Sequence, residues 1–184
     1  MNATIALQSY TESAEDLRLL LHEGSPLGGA HPKSAIINSD GSLAIAKFPA
    51  PNDEYSIPHG EILALMLGER AGINVAKGSL HSVGKRSVAI IQRFDRIDLD
   101  RIAFLSAMSL LGLQDGDTST YTDIAECIRM YSISPIQDLH ELWRRVVFNV
   151  MISNLDDHLC NHGFLVSIRK SHILKHLNFV NLGE

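Results

Sequence analysis

The chain has 184 residues, a formal net charge of −5 and 45% hydrophobic residues, so it can bury the core of one domain or of two small lobes. The excess of acidic over basic residues argues against non-specific binding of nucleic acid over a wide surface, and we expect no direct nucleic-acid partner. Cys127 and Cys160 form no CxxC pair, and we find neither a leader-like N-terminus nor an apolar run of transmembrane length. These features favour a cytoplasmic protein without a disulfide framework, a zinc site or a membrane span.

The first half of the chain is predicted to be rich in β-strands. A helix is predicted from Ser13 to Gly24, and the segment GSPLGGAHPKS (residues 24–34) is predicted to be irregular because it holds three glycines and two prolines. Two short apolar runs around an Asp-Gly turn predict a β-hairpin. HGEILALMLGERAGI then predicts an amphipathic helix that ends at Gly72, and GSLHSV followed by SVAIIQ predicts a second hairpin.

Beyond QRFDR the pattern changes to mainly helical. DRIAFLSAMSLLGL, TYTDIAECIRMYS and PIQDLHELWRRVVFNVMISN are predicted to be helices, the last with Pro135 in its first turn, and GFLVSI is predicted to be a strand. This order predicts an α+β fold in two lobes. The boundaries that we expect are a β-rich lobe over residues 1–93 and a helical lobe over residues 94–184.

Three features of the predicted first lobe fit a phosphate site. The glycine segment precedes a hairpin rather than a helix, so it is neither a dinucleotide fingerprint nor a P-loop, but it resembles the flap that covers ATP in kinases. Lys47 on the following strand fits the lysine that contacts ATP phosphates, and Glu61 fits its partner on the next helix. The alternatives are a surface loop, an edge lysine and a glutamate stabilised by the helix dipole.

A cluster of polar residues lies in NVMISNLDDHLCNHGFL, between a predicted helix and a predicted strand. Asp156 can accept the proton of a substrate hydroxyl, Asn161 five residues later can bind magnesium, and His158 can organise the loop. Two alternatives remain open: polar residues that cap the helix, or a metal-dependent hydrolase built on Asp156, Asp157 and His158.

Five segments in the same order resemble the HipA family of bacterial serine/threonine kinases, which act as toxins in toxin–antitoxin pairs. The segments, between about residues 16 and 166, are LGGAHPKSAI, AIAKFP, GEILALMLGERAGI, IIQRFDR and NLDDHLCNHGFL. The resemblance implies a protein-kinase-like fold with a small β-rich lobe followed by an incomplete helical lobe. It also implies ATP and magnesium as cofactors.

The resemblance assigns a role to each matching residue. Asp156 is the implied catalytic base, His158 orders its loop, and Asn161 is a magnesium ligand. The implied nucleotide-binding residues are Gly28, Gly29, His31, Lys33, Lys47, Glu61, Gln92 and Phe94. The implied reaction is phosphoryl transfer from ATP to a serine or threonine of a protein of the translation machinery, and the implied partner is a DNA-binding antitoxin.

The sequence departs from the family pattern in ways that bear on activity. Cys160 stands where the family often has a basic residue before the metal-binding Asn, and Pro26 aligns with the family's regulatory serine. Residues 167–184 contain no Asp to match the family's second magnesium ligand, so we expect a truncated kinase domain with impaired activity. The alternative is a non-catalytic pseudokinase remnant that binds a toxin or antitoxin. We also expect apolar surface on residues 137–152 and self-association through it.

Overall fold

The computed structural model describes residues 31–50, 53–84, 86–97, 100–114, 116–166 and 180–181. The chain divides into two compact units. The first contains the described residues up to Leu65 and those of Ala76–Arg93, and the second contains Met66–Val75 and the described residues from Phe94 onward. The predicted helix from Ser13 to Gly24 and most of the glycine segment lie outside the described residues.

The first unit is built on a four-stranded antiparallel sheet of order β1-β2-β4-β3. Its strands are β1 (Lys33–Ile37), β2 (Leu43–Lys47), β3 (Gly78–Val83) and β4 (Arg86–Gln92). Both predicted hairpins are confirmed. The first turns at Gly41, whose φ of +83° favours glycine. The prediction that residues 24–34 are irregular is wrong at Lys33 and Ser34, because both pair with β2 in the ladder.

Helix α1 (Ile57–Arg70) follows β2, and the chain reverses at Gly72, as predicted. Within the first unit, the helix approaches the sheet at Gly78. A Cβ atom there would lie 2.8 to 2.9 Å from side-chain carbons of Ile62, Leu65 and Ile91. The missing side chain therefore lets α1 pack closely on the sheet, which also carries Lys47 on β2.

The second unit has more β-structure than its sequence predicts. A ribbon of β5 (Arg96–Ile97) and β6 (Asp100–Arg101) precedes a three-stranded antiparallel sheet of β7 (Ala103–Ser106), β8 (His162–Val166) and β9 (Val180–Asn181). The predicted helix over DRIAFLSAMSLLGL is wrong for its first part. Only α2 (Ala107–Leu110) is helical there, because the preceding residues pair with a strand almost sixty residues away, which a local helical pattern cannot reveal.

The remaining helices of the second unit are α3 (Tyr121–Tyr131) and α4 (Pro135–Met151), and both confirm the prediction. Pro135 opens α4 at a position where no backbone N–H bond is lost. The helices and the sheet share one apolar core, whose buried members are Ala107, Ile124, Ile128, Leu142 and Phe164. No helix among the described residues is long and apolar enough to span a membrane.

One face of α4 carries exposed apolar side chains. Ile136, Trp143, Val147 and Val150 recur at intervals of three, four or seven residues, so they form a single stripe along the helix. Trp143 is 68% exposed and Val150 75%. The predicted apolar surface on residues 137–152 is therefore confirmed, whereas self-association through it stays a prediction.

Candidate functional site

Lys47 and Glu61 form an ion pair within the first unit. Lys47 is the last residue of β2, and its Nζ donates a hydrogen bond of 2.5 Å to Oε1 of Glu61 on α1. Both side chains are mostly buried, with 16% and 17% exposed. The pairing fixes the direction of the lysine stem, so the ammonium group occupies a defined place beside the sheet.

A second lysine lies opposite the first. Lys33 at the start of β1 is the register partner of Lys47, and directly opposed residues of an antiparallel pair project from the same face of the sheet. The two lysines therefore project from the same face of the first unit's sheet, the face that carries the Lys47–Glu61 ion pair.

His31 lies two residues before β1 and contacts the segment that follows β2. Its Nε2 is 2.9 Å from Oδ1 of Asp53, whose other oxygen accepts a 2.8 Å hydrogen bond from the Ala50 N–H. The hydrogen bond with His31 holds the pKa of Asp53 below its ordinary value. The contact ties the end of the glycine segment to the loop after β2. Gly28 and Gly29 lie outside the described residues, so their phosphate role stays a prediction.

Gln92 and Phe94 lie on either side of the division between the units. The Gln92 N–H donates to the Lys77 carbonyl at 2.8 Å, and the Arg93 N–H donates to the Leu43 carbonyl at 2.9 Å. The Phe94 ring packs against the Phe104 ring at a centroid distance of 5.5 Å. Because the N–H groups of Gln92 and Arg93 already bond to carbonyls of the protein, an adenine base would have to bond to other backbone atoms of residues 92–94. The adenine contact stays a prediction.

The polar cluster begins where α4 ends. Ser153 has a φ of +57°, which reverses the chain after the last helical turn. Asn154 then closes the helix end, because its N–H donates to the Asn149 carbonyl at 2.9 Å and its side-chain amide reaches Oδ1 of Asn149 at 3.4 Å. A side-chain bond of that length is weak, so the backbone bond defines this turn.

The loop from Asp156 to Asn161 closes on the backbone of Asp156. The carbonyl of Asp156 accepts a 2.5 Å hydrogen bond from Nδ2 of Asn161 and a 3.1 Å bond from the N–H of His158. The N–H of Asn161 in turn donates to the His158 carbonyl at 2.9 Å. The structure thus brings together all three residues that the sequence analysis selected, with Asn161 buried and Asp156 exposed.

Asp157 turns inward, where two residues contact its carboxylate. Tyr121 Oη donates a 2.5 Å hydrogen bond to Oδ2, and Nε2 of His162 lies 3.0 Å from Oδ1. Burial by itself raises the pKa of Asp157, but the contacts with His162 and Tyr121 outweigh burial and hold the pKa below its ordinary value. Burial together with the bond to Asp157 raises the pKa of Tyr121 to about 12, so this residue remains a hydrogen-bond donor at neutral pH.

The contacts of Asp157 bear on both of the metal sites that the sequence left open. Asp157 faces Tyr121 and His162, and the part of the chain that the structure describes contains no group of three His, Cys, Asp or Glu side chains that could hold a metal ion. Because Asp157 faces Tyr121 and His162 while Asp156 is exposed, the two carboxylates are not presented together, which counts against the hydrolase built on Asp156, Asp157 and His158. Asp156 and Asn161 still offer hard oxygen donors of the kind magnesium takes when substrate phosphates complete its shell.

Sequence reasoning missed two residues that contact this loop and two buried polar residues of α4. Tyr121 and His162 contact Asp157, while Asn149 and Arg145 are buried polar residues on α4. The sequence did contain a sign of the two α4 residues. Arg145 and Asn149 follow the core residue Leu142 by three and seven positions, so they lie on the face of α4 that the pattern predicts to be apolar. Buried polar residues as a rule have partners, and Arg145 contacts Glu141 and the Asn74 carbonyl.

Comparison with known proteins points to one group of kinases. A family model described as the HipA-like C-terminal domain matches residues 25–174. The chain is 25% identical over 165 residues to a Sinorhizobium fredii (strain NBRC 101917 / NGR234) protein named "Putative kinase Y4mE", a match that covers 76% of this chain and 38% of that protein.

Two solved structures share the fold. One is HipA of Shewanella oneidensis MR-1, solved with HipB and operator DNA, with a TM-score of 0.71 at 15% identity over 94% of this chain and 50% of that one. The other is the Helicobacter pylori proinflammatory kinase CtkA, with a TM-score of 0.65 at 18% identity over 85% of this chain and 55% of that one. The chain thus has a kinase-like α+β fold and spans about half the length of these two structures.

Proposed function

The chain belongs to the family of HipA-like C-terminal domains, and we propose that it acts as a protein serine/threonine kinase domain of a toxin–antitoxin module. The observation that carries this proposal is the closed loop in which Asp156 is exposed while Asn161 and His158 hold its backbone. Such a loop can present a base and a metal ligand in fixed positions, which is what phosphoryl transfer requires of a protein.

Each residue has a defined task in this reaction. The ammonium groups of Lys33 and Lys47 bind the phosphates of ATP, and Glu61 orients Lys47. Asp156 accepts the proton of the substrate hydroxyl, and Asn161 offers its side-chain oxygen to magnesium. The ion, when bound, neutralises the charge that develops on the transferred phosphoryl group.

Nucleotide binding is tested by thermal unfolding with and without ATP and magnesium. A ligand at about 100 times its dissociation constant stabilises a protein by about 2.7 kcal/mol, which raises Tm by roughly 5–10 °C for a chain of this size. We expect this shift in the wild type and its loss in Lys47→Ala. Lys77→Ala, which removes an exposed lysine of the same unit, is the control and should keep the shift. No shift at millimolar ATP would refute nucleotide binding.

Phosphoryl transfer is tested separately with labelled ATP. We expect label on a protein acceptor with the wild type and none with Asp156→Asn, while Asp100→Asn, an exposed acid of the second unit, should transfer normally. The alternative, a pseudokinase that binds a toxin or antitoxin, is favoured by Cys160, an exposed residue that offers no positive charge to a phosphate next to Asn161. ATP binding without transfer would support it.

The partners follow from the same proposal. Since the similar HipA was solved with HipB and operator DNA, we propose a DNA-binding antitoxin as partner and a protein of the translation machinery as substrate. We also propose self-association through the stripe of Trp143 and Val150 on α4, because both side chains are largely exposed. Elution as a strict monomer at high concentration would contradict self-association.

A further inference from the structure

Two neighbouring aspartates of the loop point in opposite directions. Asp156 is exposed, whereas the side chain of Asp157 is only 6% exposed. The loop residues after α4 belong to no helix or strand, so no regular ladder holds Asp156 in place. Its orientation must therefore come from the contacts of the loop itself.

Asp157 connects the loop to two other elements of the second unit. Its Oδ2 accepts the hydrogen bond from Tyr121, the first residue of α3, and its Oδ1 lies 3.0 Å from His162, the first residue of β8. The Tyr121 and His162 rings also meet edge to face, with centroids 5.7 Å apart. One carboxylate is thereby held against a helix and a strand at the same time.

The two sides of the loop are held by different sets of bonds. Asn161 and His158 hold the carbonyl of Asp156, while Tyr121 and His162 hold the side chain of the next residue. Rotation about χ1 moves the Asp156 carboxylate without moving the backbone, but the direction of its Cα–Cβ bond is set by the loop backbone. A turn of the peptide that joins Asp156 to Asp157 would redirect this bond and withdraw Asp157 from both of its partners.

We propose that Asp157, held by Tyr121 and His162, is a positioning residue that keeps the Asp156 carboxylate turned outward for catalysis. The inference rests on the proposed kinase function and deepens it by assigning the support of the base. A buried carboxylate is costly unless it is paired, so an apolar residue would fill this space more cheaply. A carboxylate has two oxygens, so one accepts the hydrogen bond from Tyr121 while the other lies beside Nε2 of His162.

The test uses two variants and two matched controls in the full chain. Tyr121→Phe removes one oxygen atom and keeps the ring contact with His162, so it tests the link even if Asp157→Asn folds poorly. Tyr131→Phe on the same helix and Asp100→Asn on the exposed ribbon are the controls. Each protein is measured for kcat, for KM of ATP and for amide hydrogen exchange of the loop.

We expect Tyr121→Phe and Asp157→Asn to lower kcat by about 10-fold to 100-fold with KM for ATP within twofold, because misplacement of a catalytic group by about 1 Å costs that much. The exchange rates of the His158 and Asn161 amides should rise in both variants, and the controls should match the wild type. The double variant should lose no more than the larger single loss, because both changes break the same link.

The outcomes separate this inference from the proposed function. An active wild type whose kcat and loop exchange are unchanged by Tyr121→Phe would overturn the inference and leave the kinase function standing. Additive losses in the double variant would overturn it as well, since they would mean independent effects. A wild type that transfers no phosphate would refute the kinase function, and the inference with it, even if loop exchange rises in the variants.

Discussion

Gly163 on β8 allows Phe104 to pack in the core of the second unit. A Cβ atom built at Gly163 would lie 2.0 Å from Cε2 and 2.6 Å from Cζ of Phe104, far inside van der Waals contact. Gly163 is buried and paired with Ser106 in the ladder, so its own backbone has little freedom to move. Gly163→Ala must therefore displace the Phe104 ring.

The cost has two parts. Insertion of a methyl group into a packed core costs about 1–3 kcal/mol. The Phe104 ring also packs on Phe94 at 5.5 Å, and loss of such an aromatic contact costs about 0.5–1.5 kcal/mol. We expect Gly163→Ala to lower the free energy of unfolding by about 2–4 kcal/mol, which lowers Tm by roughly 4–16 °C.

Urea unfolding followed by circular dichroism measures this effect. Phe104→Leu removes the ring atoms that the new methyl group would meet, so Gly163→Ala should cost much less in that background. Gly60→Ala is the control, because Gly60 lies in α1 with nothing within 4 Å of its added Cβ, and stability should stay equal or rise slightly. An equal cost of Gly163→Ala in both backgrounds would refute the steric explanation.

Four further outcomes are expected. Leu142→Ala should lower the free energy of unfolding by about 2–5 kcal/mol in urea, because it opens a cavity in the buried core, and a loss below about 1 kcal/mol would contradict that core. Glu61→Gln should weaken ATP binding in a thermal-shift titration, because Lys47 loses the charged partner that orients it, and it should cost about 1–3 kcal/mol of stability in urea because the pair is mostly buried. Gly41→Ala should destabilise by about 1 kcal/mol, since alanine disfavours a φ of +83°, and an unchanged urea midpoint would count against this turn. The pKa of Asp157 in the folded protein lies below its ordinary value, so the stability that its carboxylate contributes is present above the unfolded pKa and is lost as pH falls through the folded pKa. The wild type should therefore lose more stability in acid than Asp157→Asn. Parallel curves of urea midpoint against pH for the two proteins would contradict this.

The sequence by itself was sufficient wherever a signal lies within a few residues. The Asp-Gly turn predicted the first hairpin, and Pro135 followed by a regular apolar stripe predicted α4. The order of glycine segment, Lys47, Glu61 and the polar loop also led to the kinase-like fold, because those residues resemble one family in sequence and spacing. Local chemistry and motif order were enough for these conclusions.

The strand β7 shows where local reasoning fails. Ala103–Ser106 follows a helical pattern in the sequence, but it is a strand because β8, almost sixty residues away, supplies its ladder partners. No window of the sequence contains both strands. The division of the second unit into helices and a sheet was therefore decided by long-range pairing.

The support of Asp156 depended on tertiary structure in the same way. From the sequence, Asp157 was equivalent to its neighbour as a candidate metal ligand, and Tyr121 and His162 carried no assignment. The fold turned one aspartate inward, to a tyrosine 36 residues earlier in the chain, and left the other exposed. Residue types and order are local information, whereas the direction of a side chain depends on which distant donors surround it, and only the packed chain determines that.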